Sequence, residues 1–138
     1  MSQEEFFKKE LVKELRHVEA LMKKEENFDK KIYYFSAAYG ITSRTYKYSF
    51  SRDVLLADLV LTSAYQSLLD ITQRLKTGNT TVKLEIEHFK KLEEGLRLLA
   101  DAFEKNESVL EPLELILTTA FSTSGAGNYL REKGLLEL

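Results

Sequence analysis

The chain contains two histidines, and each follows a glutamate by three residues: Glu14-Leu-Arg-His17 and Glu85-Ile-Glu-His88. Glu-x-x-His on two helices is half of a ferritin-like carboxylate di-iron site, because that spacing points both ligands at one metal. The other half requires a bridging glutamate from each of two further helices. The segments at 29–50 and 52–77 contain no glutamate, and Asp58 is the one interior acid near a suitable place. The facing is also unfavourable: Glu14 and Glu85 fall within apolar stripes, while His17 and His88 turn roughly 80–115° away at 100° per residue. The pairs therefore read as charge patterning on helix surfaces. No metal site, cofactor or catalytic residue is assigned, because neither histidine has a Ser or Cys partner and no nucleophile has an adjacent base.

A second constellation is basic and aromatic. Residues 28–65 hold six of the seven tyrosines, and residues 28–52 carry five Lys or Arg against one Asp, while every other segment is net negative. Arg44, Lys47 and Arg52, interleaved with Tyr46, Tyr48 and Phe50, have the chemistry to clamp phosphates and stack bases. They are the candidate contacts for a nucleic acid or other polyanion, the less favoured partner class. The net charge of −2 argues against a globally basic nucleic-acid binder.

Two further features bear on ligands. The run Ser122-Thr-Ser-Gly-Ala-Gly127 has two readings. Within a continuous helix it would admit a close backbone neighbour or leave a pocket; as a loop its amides, with Arg131 nearby, would suit an anion. It lacks the Gly-Lys-Ser/Thr ending of a phosphate-binding Walker loop. Asp58 lies in Val54-Leu-Leu-Ala-Asp-Leu-Val-Leu61, the most apolar run in the chain, where a carboxylate needs a partner. Tyr65 is the expected one. A ligand- or cofactor-binding bundle with a pocket near Asp58 and Ser124 is one functional alternative.

The elements that position these residues are helices. Hydrophobic residues at 43% and charged residues at 30% describe a globular chain. Its 138 residues suffice for one domain burying roughly two-thirds of its unfolded surface. No sustained period-two alternation and no hairpin turn is present. The expected fold is all-α, an up-and-down bundle of about five long antiparallel helices at roughly 2–26, 29–50, 52–77, 81–105 and 109–133. Ser2 with Glu5 and Ser108 with Glu111 form capping-box patterns, although Pro112 would also serve as a helix start. The junction at 49–52 fits either a break or a kink in one long helix. Thr77-Gly-Asn-Thr-Thr81 resembles the threonine–glycine loop of the corrinoid adenosyltransferases, which are also helical bundles. In that family the loop precedes the bundle and has a further acidic residue and glycine; here it joins two central helices, so the resemblance reaches the architecture and not the activity.

The segment 28–50 is apolar on two sides at helical spacing. Phe28, Ile32, Phe35, Tyr39, Tyr46 and Phe50 form one stripe; Tyr34, Ala38, Ile41 and Tyr48 form the other. Such a helix must be covered twice, by its own bundle or by a partner chain. Tyr34, Ile41 and Tyr48 are accordingly the candidate interface of a homo-oligomer, with a dimer favoured. The absence of cysteine, of an apolar leader and of an uninterrupted apolar run of ~18 residues leads us to expect a cytoplasmic protein without a membrane span. Asn and Gln number only seven beside abundant Lys and Glu, a balance that leans toward a thermophile.

Overall fold

Ser2 opens the first helix through its side chain, which accepts the Glu5 N–H at 3.1 Å. Helix α1 spans Gln3–Lys24 and α2 spans Phe28–Ser49, the latter capped by Asn27, whose side chain accepts the Lys30 N–H at 3.0 Å. The computed structural model describes residues 2–79 and 83–135, the side chains of 128 and 131 excepted. Helix α3 (Arg52–Thr77) is separate from α2. Phe50 takes a left-handed conformation at φ 54°, and Ser51 caps the new helix. Gly78, at φ 70°, ends α3 in the conformation glycine adopts most easily.

Two boundaries differ from the sequence expectation. Helix α4 spans Ile86–Lys105. Residues 80–82 lie outside the described residues, and with them part of the threonine–glycine segment and Val82. Lys83, Leu84 and Glu85 are not helical. Glu85 is extended, and its N–H is bound by His88 Nδ1 at 3.0 Å, so the start of the helix is set by this histidine. Ile86, expected in the core, is exposed. The expected helix over 109–133 is two: α5 (Leu110–Thr123) and α6 (Gly125–Glu132), broken at Ser124. Pro112 occupies the third position of α5, where an amide has no partner within the helix. Ser108 Oγ accepts the Leu110 N–H and sits one residue before the cap position at Val109.

The fold is all-α, a single domain of packed helices. Helix α1 packs on α2 and α4, α2 on α3, α3 on α5, and α5 on α4, so the five longer helices close a ring in the order α1, α2, α3, α5, α4. Chain direction alternates from one helix to the next. Five alternating helices cannot close a ring with every neighbour antiparallel. The one parallel pair is α3 with α5, as the Gly125 N–H donating to Asp70 at 2.8 Å near both C-terminal ends shows. Leu11, Leu15, Met22, Phe35, Leu61, Leu68, Phe89, Leu96, Leu99 and Ile116 fill the interior with no exposed surface. Each such side chain contributes roughly 1.5–3 kcal/mol by its burial.

The two stripes of α2 follow from its place between α1 and α3. Toward α3, the Tyr39 ring lies 5.3 Å from Tyr65, and toward α1 the Tyr48 ring stacks on Phe7 at 4.5 Å and 6°. Tyr34 and Ile41 are partly buried against the core. Phe50, expected on the first stripe, projects from the left-handed corner and is exposed. The α1–α4 seam is closed at the surface by Arg16, 2.5 Å from Glu104 and 2.9 Å from Asp101. Hydrogen bonds to Glu104 and then Asp101 hold the guanidinium pKa above its ordinary value. Within α1 Lys23, bonded to Glu19 one turn earlier, is also held high. Exposed pairs of this kind add little to stability.

Candidate functional site

A helix inside a ring of helices should turn apolar residues inward and polar residues outward, and α3 breaks that rule. Of the stripe at helical spacing, Val54, Ala57, Leu61, Ala64, Leu68 and Ile71 face the core, while Leu75, expected with them, is exposed near the end of the helix. On the opposite side Leu55, Leu59, Thr62, Gln66, Leu69 and Gln73 form a second row. Leu55, Leu59 and Leu69 are 36%, 59% and 45% exposed, too open to belong to the core. Successive members of the row are separated by four, three, four, three and four residues, the spacing of a helix–helix seam. Among the described helices α3 alone is long and apolar enough to cross a membrane, a difference from the sequence expectation, and 33% of that apolar window is buried. It carries Asp58 and Asp70, both hydrogen-bonded, and is packed between α2 and α5.

The flanks of this face carry opposite charge. On the α2 side Arg44, Lys47 and Arg52 are exposed and make no ion pair among the described residues. Tyr48 and Phe50 stand exposed beside them. On the α5 side Glu111 and Glu114 are exposed and likewise unpaired among the described residues, and Leu110 at the start of α5 is 62% exposed. Arg44 and Lys47 thus lie in the last two turns of α2, and Arg52 opens α3. Lys31, another basic residue of that segment, is withdrawn from the surface. It is 2% exposed, and its Nζ lies 3.3 Å from Glu93, itself 5% exposed, donates to the Met22 carbonyl and sits 5.7 Å over the Phe89 ring.

The other candidates separate. Asp58 does not rely on Tyr65. Its Oδ1 accepts from Thr42 Oγ1 at 2.9 Å and Ser43 Oγ at 2.7 Å, joining α2 to α3, because Tyr65 turns its ring to Tyr39. Ser124 lies in a different place, an open groove of about 450 Å³ between α3 and the α5–α6 corner, lined by Gln66, Asp70, Arg74, Phe121 and Gly125 among others. Asp58 does not line this groove. The Gly125 amide binds an anion of the protein's own, the Asp70 carboxylate, which Arg74 Nε also binds at 3.1 Å. Ser124 Oγ accepts the Gly127 N–H at 3.0 Å, and a Cβ on Gly127 would run into the Phe121 carbonyl. The small residues thus admit two close approaches, Gly127 to the end of α5 and Gly125 to the Arg74 side chain of α3. The Arg131 side chain lies outside the described residues. Glu14 and His17 lie on α1, and Glu85 and His88 at the start of α4; no three metal-ligating side chains converge among the described residues.

The outward leucines of α3 and the acids of α5 escaped the sequence reading. A signal was present: on the helix wheel Leu59 lies nearly opposite Leu61 and Leu68, and Leu55 and Leu69 fall roughly 80–140° from them. The apolar run around Asp58 hid it, since a run apolar throughout reads as a deeply buried helix. Comparisons with protein-family models, with curated proteins and with solved structures each find no match to this chain.

Proposed function

We propose that the chain acts through protein–protein association, with the outward row of α3 as its docking face. The observation that carries this reading is the row itself, three exposed leucines at seam spacing on the one described helix long and apolar enough to cross a membrane, bordered by charge. Scattered exposed leucines are ordinary, whereas an aligned row rimmed by polar groups marks an interaction site. Tyr34, Ile41 and Tyr48 contribute less, because each already packs within the chain. Sedimentation velocity from about 1 to 100 μM tests the reading in its simplest form, self-association. The wild-type chain should associate reversibly. Leu59→Glu, at an exposed position, should keep its helical circular dichroism and weaken association by about 100-fold or more, because the seam would bury an unpaired carboxylate. A dimer as strong in Leu59→Glu as in wild type would remove α3 from the role.

A second reading rests on the unpaired cluster of Arg44, Lys47 and Arg52 beside Tyr48 and Phe50, which fits a polyanion. Three phosphate contacts to a single strand would give a log–log salt dependence of about −2 for the association constant. Fluorescence anisotropy with a labelled single-stranded RNA measures that slope, and binding that ignores salt would dismiss this reading.

A further inference from the structure

The docking face has a matching surface on the same molecule. We propose that its occupant is a second copy of this chain, in a parallel two-fold dimer. Helix α3 lies along its symmetry mate, and the basic outer face of α2 meets the acidic outer face of α5 of the other protomer. This rests on the association reading above and adds the partner and its orientation.

The argument is one of register. Asp70 is level with Gly125 across the parallel α3–α5 pair. Counting back along both helices, Leu59 is level with Glu114, and Glu111 lies about one turn earlier. Across the antiparallel α2–α3 pair, Asp58 is level with Thr42 and Ser43. Arg44 therefore falls level with residues 56–57 of α3, the height of Glu111, and Lys47 about one turn further toward Arg52. The basic flank and the acidic flank thus overlap at the height of Arg44 and Glu111, on either side of the leucine row. A two-fold axis along α3 exchanges the flanks and sets Arg44 against Glu111, twice per dimer. A two-fold axis across α3 sets α2 against α2, and basic face against basic face. Charge complementarity selects the first arrangement. In it every seam residue meets its own copy, so Leu55, Leu59 and Leu69 pair with leucine, and Thr62, Gln66 and Gln73 form polar steps that fix the register.

The chain has no cysteine, so single cysteines report on this geometry directly. Leu55→Cys and Leu69→Cys, oxidised with copper–phenanthroline, should each form a disulfide-linked dimer. Across an antiparallel seam centred on Thr62, each of these positions would stand about 20 Å from its copy, beyond the reach of a disulfide. Arg44→Glu with Lys47→Glu, and Glu111→Lys with Glu114→Lys, should each raise the dimer Kd at least ~10-fold. Mixed in equal amounts, the two double variants should form a heterodimer close to wild-type strength. A wild-type dimer that Leu59→Glu disrupts, but that does not cross-link at both 55 and 69, overturns the parallel arrangement and leaves the association reading standing. A monomer throughout overturns both. Unchanged dimerisation of Arg44→Glu/Lys47→Glu, with loss of RNA binding, overturns the proposal and assigns the basic face to a polyanion.

Discussion

Replacing Glu93 by alanine is expected to cost the fold about 3–5 kcal/mol, and replacing Lys31 by alanine about as much. Each single change leaves a charge in a place built for two. Lys31 and Glu93 are 2% and 5% exposed and 3.3 Å apart, on helices α2 and α4, which are not neighbours in the ring. Glu93 lies on the apolar side of α4, one turn after Phe89 and one turn before Leu96, with little access to water. The Met22 carbonyl and the Phe89 ring give Lys31 further partners, so losing Glu93 leaves the ammonium partly satisfied and losing Lys31 leaves the carboxylate with less. The double change Lys31→Met with Glu93→Leu should recover most of the loss, since apolar pairs of similar volume often match a buried ion pair. Urea denaturation of the four proteins gives the comparison. A loss below about 1 kcal/mol in Glu93→Ala would mean that water reaches the pair.

Leu61→Ala and Leu59→Ala make the second prediction, because the same change is made twice on one helix, two residues apart. Leu61 is fully buried against the core, so its truncation should cost about 3 kcal/mol, the transfer term plus the cavity left behind. Leu59 turns about 200° from it and faces outward, so its truncation should change the dilute monomer by less than about 0.5 kcal/mol. Concentration should then separate the two. The deficit of Leu61→Ala stays constant in urea titrations, while that of Leu59→Ala grows with concentration if a second chain covers the row, through mass action on the dimer. A deficit in Leu59→Ala that never grows would count against association through α3.

Much of the fold could be read from local signals. Ser2, Ser51 and Gly78 act within one turn of chain, and α1 to α3 stand within a few residues of their expected limits. The break at Ser124 could not be read in that way. It is stabilised by Asp70, far back in the sequence, binding the Gly125 amide, and only packing brings the two together. The buried pair had a visible trace. Lys31 follows Phe28 by three residues and precedes Phe35 by four, and Glu93 follows Phe89 by four and precedes Leu96 by three, so both interrupt an apolar stripe. Attention to the most apolar run singled out Asp58 instead, which is only partly buried and has two hydroxyl partners. The two stripes of α2 were legible as a need for two coverings. Which covering was intramolecular depended on the ring order, which the helix wheel does not contain.

The odd number of helices in the ring also has an electrical consequence. Helices α1, α3 and α5 finish at one end of the bundle, where only α2 and α4 begin. With about half a charge on each terminus, three carbonyl ends against two amide ends leave that end net negative and the other net positive. The side chains follow suit: Lys23, Lys24, Arg74 and Lys76 lie in the last turns of α1 and α3, and Glu4, Glu5, Asp53 and Glu111 in the first turns of α1, α3 and α5. Helix α5 has no basic residue in its last turn. Directly after it α6 begins, delivering a third amide end to the side that is one short, so the break at Ser124 brings the backbone dipoles at that end to three against three.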